Sequence, residues 1–135
     1  MRKSFLLMAL AALLMLAGAV SAQDQVTLEV WTGSSSPVEN DFKTAQVAAF
    51  MEANPNITVN LLIAPDYGTL IQAALASGDY PDVFTVGQFD LPSYVDSGVL
   101  MPAGDSIENV DDIYPSLLQA FTGPDGEVYA VPKDF

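Results

Sequence analysis

The stretch VTLEVWTGSSSPVENDFKTAQVAAFMEANPNITVNLLI, Val26 to Ile63, decides the fold. Val26 to Trp31 alternate and are rich in β-branched residues, the pattern of a strand. Thr32 to Ser36 form a small polar loop. Ser36 then stands as N-cap, with Pro37 at the first helical position and Glu39 three residues after the cap, which is a capping box. At 100° per residue, Phe42, Ala45, Ala49, Phe50 and Ala53 fall on one face, so the helix is expected to turn that face to the core. Asn54-Pro55-Asn56 stops it, and Ile57 to Ile63 is a second strand with a buried, apolar end. A strand, a helix and a strand in this order make a parallel pair joined by a crossover.

The unit repeats outward along the chain without any internal sequence repeat. Ala64-Pro65-Asp66 turns the chain, and Asp66 is placed to cap a helix from Tyr67 to Ala76 with Leu70, Ile71 and Ala74 inward. Ser77 to Pro81 break that helix, and Asp82 to Val86 form the third strand. Gly87 to Asp90 are a loop, with Asp90 as cap of a short helix over 91–96 that ends at Ser97-Gly98. Val99 to Ala103 are extended, Tyr114 to Phe121 helical, and Gly123-Pro124-Asp125-Gly126 a turn into a strand from Glu127 to Val131. Successive β–loop–α units predict an α/β fold with a parallel sheet and right-handed crossovers.

Composition removes whole classes of chemistry. The chain has 135 residues, with Lys+Arg 4 against Asp+Glu 17. Arg2 and Lys3 precede an uncharged apolar run from Phe5 to Val20, and Val20 and Ala22 are small residues at −3 and −1 of a cleavage site. Residues 1–22 therefore read as a signal peptide cleaved after Ala22, with residues 23–135 exported. The exported part carries only Lys43 and Lys133 as bases, an acidity that excludes general nucleic-acid binding. With no Cys and no His, the chain has no disulfide, no thiol nucleophile, no His-dependent triad and no Cys/His zinc site. No EF-hand spacing is present, Asp111-Asp112 reads as a solvated helix entry, and neither a metal nor a cofactor is expected.

In open parallel sheets ligands bind beyond the carboxyl ends of the strands. Those ends carry Thr32–Ser36, Ala64–Tyr67 and Gly87–Asp90. Trp31 offers an aromatic face and an N–H to a ligand, or packs in the core or near a hinge. Gly33, Ser34 and Ser35 offer free backbone N–H groups before a helix N-terminus, with Ser36 spent on the cap. Tyr67 is a rim aromatic, Asp66 is a helix cap that can also meet a ligand, and Gln88 and Asp90 supply amide and carboxylate groups for paired hydrogen bonds, with Asp90 alternatively a mere cap.

The order of segments carries a resemblance. VTLEVWTGSSS, MEANPNITV, LIQAALASGDYPDVFTV, YVDSGVLMP and GPDGEVYAVPKDF together resemble the family 1 extracellular solute-binding proteins of bacterial ABC importers. This group includes maltose-, trehalose- and oligosaccharide-binding proteins. The resemblance covers the whole exported part, and its most specific piece is Ala73 to Phe84. It implies a periplasmic-binding-protein-like (class II) fold, of which residues 23–135 would be the N-terminal part of lobe 1, with later strands and the second lobe absent. It implies capture of a carbohydrate and delivery to ABC permease transmembrane subunits, by a monomeric periplasmic protein that meets the membrane only through the permease. It implies no catalytic residue, and it adds Asp134 as a position near the cleft. The alternatives are a non-sugar solute (polyamine, polyol or sugar phosphate), a truncated product that binds nothing, and an exported glycoside hydrolase working through paired carboxylates.

Overall fold

The computed structural model describes residues 24–133. The expected leader and Asp134 lie outside them. Strand β1 (Val26–Gly33) is followed by helix α1 (Pro37–Ala53), strand β2 (Ile57–Ala64), helix α2 (Tyr67–Ser77), strand β3 (Val83–Phe84) and helix α3 (Leu91–Asp96). Two single 3-10 turns, Gly104–Ser106 and Val110–Asp112, lead to helix α4 (Pro115–Gln119).

β1 is the middle strand of a parallel sheet with the order β2-β1-β3. It pairs with β2 along its whole length, from Val26 opposite Ile57 to Gly33 opposite Ala64. It meets β3 at Val30 opposite Val83 and Trp31 opposite Phe84. Side chains alternate across a sheet, so Val30, Leu61 and Val83 share one face and Trp31, Leu62 and Phe84 the other. α1 lies over the first face, where Val47 stands beside Val30 and Leu61 around a gap of about 480 Å³, and the Met51 sulfur lies 3.3 Å from the Val59 nitrogen. The second face is covered by α2, whose Tyr67 abuts Gly33, and by α3, whose Tyr94 meets Phe84 edge-on at 6.2 Å.

The helix boundaries follow the expected signals. The Ser36 hydroxyl accepts from the Glu39 N–H at 3.3 Å, and Pro37 opens α1. α2 ends at Gly78, whose φ of +76° is the left-handed turn that glycine adopts without a Cβ clash. Ile71 and Ala74 of α2 are buried as expected, with Ala64 and Leu91.

Four expectations are corrected. First, α1 is rotated. Phe42, Ala45, Ala49, Phe50 and Ala53 are all exposed, whereas Glu39, Asn40, Lys43, Val47 and Met51 turn inward. The helix follows the hydrogen bonds that its first turns make to the preceding loop, not its apolar stripe. Second, β3 is only Val83–Phe84: the Thr85 N–H still donates to the Trp31 carbonyl at 3.2 Å, but the Thr85 carbonyl turns to the Tyr67 hydroxyl at 2.6 Å. Third, Glu127 to Val131 form no ladder. They make one antiparallel bridge, Thr122 with Val128, and the Val128 carbonyl accepts from Ala103 and Gly104. Fourth, the run from Val99 expected to be extended turns at Ala103, which has φ −117° and ψ −10° and whose N–H lies 2.7 Å from that carbonyl.

These placements separate two substitutions of similar chemistry. Ile71→Ala, at a side chain 4% exposed, is expected to cost about 2–5 kcal/mol. Phe42→Ser, at a side chain 61% exposed, is expected to stay within about 0.5 kcal/mol. Urea unfolding of both variants checks this, and the reverse order would return the Phe42 face to the sheet.

Candidate functional site

The carboxyl end of the sheet gathers the loops after β1, β2 and β3. β1 and β2 end in register at Gly33 and Ala64, and the Ser34 N–H donates to the Ala64 carbonyl at 2.8 Å. Tyr67, first residue of α2, lies across this edge. Gly33 lies against the Tyr67 side chain: a Cβ built on it would stand 3.5 Å from the Tyr67 Cβ, an ordinary packing distance. The Tyr67 hydroxyl reaches the Thr85 carbonyl, and the Thr85 hydroxyl lies 3.0 Å from that of Thr32. Burial pushes the Tyr67 phenol up to about 12. Tyr67 is therefore a half-buried strut between the ends of β1 and β3, and its hydroxyl is occupied.

The Gly33–Ser36 loop is held by side chains of α1. The Ser35 N–H donates to Asn40 Oδ1 at 3.0 Å, and Asn40 Nδ2 donates to Ser34 Oγ at 2.9 Å. Lys43 Nζ donates to the Gly33 carbonyl at 2.9 Å and to Ser35 Oγ at 3.2 Å. Ser36, Asn40 and Lys43 recur at helical spacing, so one edge of α1 faces the loop. The expectation of free N–H groups at Ser34 and Ser35 is thus corrected: both are satisfied within the protein. The hydroxyl of Ser34 remains at the exposed surface of the loop.

Glu39 joins this cluster instead of closing the capping box. Its Oε1 lies 3.3 Å from Lys43 Nζ and 3.0 Å from Lys133 Nζ, which ties the end of the described chain to the start of α1. The hydrogen bond from Lys133, then that from Lys43, holds the Glu39 carboxyl below the usual carboxylate range.

Asp66 and Asp90 occupy N-cap positions, yet neither side chain makes a cap hydrogen bond, which corrects the capping role expected of them. Both are exposed. The Asp90 Oδ2 turns back over Gly87, 3.1 Å from where a Cβ would be. Gln88 is exposed and lines a cavity of about 660 Å³ between Val83–Gln88 and 129–133. Trp31 is not at the edge. It lies inside β1, half-buried and in register with Leu62 and Phe84. Sequence reasoning missed Asn40 and Lys43, although their spacing from Ser36 was a signal. It also missed Phe89, a side chain 89% exposed between Gln88 and Asp90. Among the described residues no group of three or more acidic, His or Cys side chains is placed to hold a metal ion.

A parallel sheet with polar loops collected at its carboxyl edge is an open α/β binding lobe. The comparisons give it a family. The chain matches bacterial extracellular solute-binding proteins over residues 34–134, and it belongs to that family. A family 1 extracellular solute-binding protein from Alicyclobacillus acidocaldarius superposes with a TM-score of 0.73 at 27% identity, over 83% of this chain and 29% of its own. An ABC substrate-binding protein from Listeria monocytogenes, solved in complex with cycloalternan, gives 0.59 at 33% identity over 78% and 28%. A protein solved with mannotriose bound gives 0.66 at 25% identity over 80% and 28%. The chain thus spans under a third of the length of these relatives. A search of curated proteins returns no significant match.

The Glu39 cluster has a defined pH response. A depressed carboxyl pKa contributes stability that is present above the ordinary value and is lost as pH falls through the depressed one. An NMR titration of the Glu39 carboxyl carbon is expected to give a midpoint below that of exposed glutamates. Lys133→Met and Lys43→Met should each raise it, Lys133→Met by more; an unchanged midpoint in both would remove the ion pairs from solution.

Proposed function

We propose that this chain forms the ligand-facing part of the extracytoplasmic solute-binding component of an ABC importer, and that its solute is a carbohydrate. The observation that carries this reading is the convergence of Ser34, Tyr67, Thr85 and the Gln88–Asp90 loop on one sheet edge, in a chain of this family. Supporting it, relatives at 33% and 25% identity were solved with cycloalternan and mannotriose. Hydroxyl, amide and carboxylate groups beside an exposed aromatic suit a sugar. Vicinal hydroxyls donate to the Asp66 and Asp90 carboxylates and accept from the Gln88 amide, and the C–H face of a pyranose stacks on Phe89. Trp31 is better placed to pack the sheet than to meet the solute.

On this reading residues 1–22 direct export and are removed, and residues 23–135 are the N-terminal part of lobe 1. The solute-loaded form presents itself to permease transmembrane subunits from the periplasm, as a monomer. The lobe itself does no covalent chemistry. Contacts available only when a second wall closes over the solute would drive domain closure.

Isothermal titration with mannotriose, maltotriose, spermidine and glucose 6-phosphate tests the assignment. Heat is expected with a neutral oligosaccharide, and Phe89→Ala and Gln88→Ala should each weaken it about tenfold, roughly 1.4 kcal/mol. Binding of spermidine or the sugar phosphate alone would move the assignment to a charged solute. N-terminal sequencing of the secreted form should begin at Gln23; a start at Met1 would overturn the leader.

A further inference from the structure

The hydrogen-bond pattern around Asn40 has only one consistent direction. The Ser35 N–H is a donor and nothing else, so the group 3.0 Å from it must be the amide oxygen of Asn40. The other end of that amide is therefore its NH2, which lies 2.9 Å from Ser34 Oγ. Ser34 Oγ receives a hydrogen bond there, and its own proton is left for a partner elsewhere. Ser34 is exposed at the carboxyl edge of β1, and its backbone N–H is already used on Ala64. The neighbouring acceptor, the Gly33 carbonyl, is taken by Lys43 Nζ, a side chain 11% exposed. The loop thus turns a hydroxyl donor outward and keeps a cation behind it.

We infer that Asn40 is a positioning residue that sets the hydrogen-bond polarity of the solute site. This rests on the functional reading above and deepens it. The solute atom opposite Ser34 is an oxygen acceptor, such as a sugar hydroxyl or ring oxygen. A protonated polyamine has no acceptor to offer there. The loop therefore selects a neutral, oxygen-rich solute in a chain whose overall acidity would by itself attract cations.

Asn40→Asp is the discriminating substitution, because it keeps shape and reverses one bond. One carboxylate oxygen still accepts from the Ser35 N–H. The other can only accept, so it draws the Ser34 proton inward and removes the outward donor. Titrations with mannotriose and spermidine are made on the wild type, Ser34→Ala, Asn40→Asp and the double variant. Ser34→Ala and Asn40→Asp are each expected to weaken mannotriose about tenfold, and the double variant no more than either alone. Slow hydrogen exchange of the Ser35 amide, retained in Asn40→Asp, reports that the loop keeps its fold.

Additive losses in the double variant, or an Asn40→Asp affinity equal to wild type, would overturn the inference while leaving the carbohydrate reading intact. A Ser35 amide that exchanges as fast in the wild type as in Asn40→Leu would overturn it without reference to any ligand. A wild type that binds spermidine and no sugar would overturn both.

Discussion

The parallel pairing of β1 with a neighbour on each side is the constraint on which the rest depends. A middle strand has both rows of backbone groups engaged, so its direction and register fix those of β2 and β3. Parallel strands send all their carboxyl ends to one edge. The loops after β1, β2 and β3 must therefore meet there, however far apart they lie in the chain. Gly33 and Ala64 end in register, and Tyr67 packs against Gly33 and crosses to the Thr85 carbonyl. The site is a consequence of sheet direction.

α1 shows how a polar network overrides an apolar pattern. Asn40 and Lys43 together supply the Gly33–Ser35 loop with four hydrogen bonds, and Glu39 binds Lys43 and Lys133. To make these contacts the first turns of the helix must face the loop. A rigid helix then carries Val47 and Met51 to the sheet and leaves Phe42, Phe50 and the alanines between them exposed. An exposed apolar stripe beside so few fully buried side chains is a feature of the lobe portion described, and the relatives that it matches are more than three times as long.

The same network decides what the edge offers a solute. Backbone N–H groups in a loop before a helix are the usual anion-binding device, and here they are consumed internally by Ala64 and Asn40. What remains is side-chain chemistry: the Ser34 hydroxyl, the uncapped carboxylates of Asp66 and Asp90, the Gln88 amide and the Phe89 ring.

Much of this was legible in the sequence. The strand–helix alternation, the Ser36-Pro37 start, the Asn54-Pro55 stop, the Gly78 stop and the inward Ile71 and Ala74 all follow from local rules, because caps, turns and periodicity act within a few residues of one another. The gathering of the three loops at one edge followed too, since parallel strands send their carboxyl ends the same way. Tertiary structure decided the rest. The rotation of α1 depends on a loop and a helix bonding across a corner. The turn of the Thr85 carbonyl at the end of β3 depends on Tyr67 reaching it, and the inward position of Trp31 depends on register. The polarity of Ser34 depends on which end of the Asn40 amide faces the Ser35 N–H. Each is a competition between partners distant in the chain or across a bend, and no spacing of residues along a sequence says which partner wins.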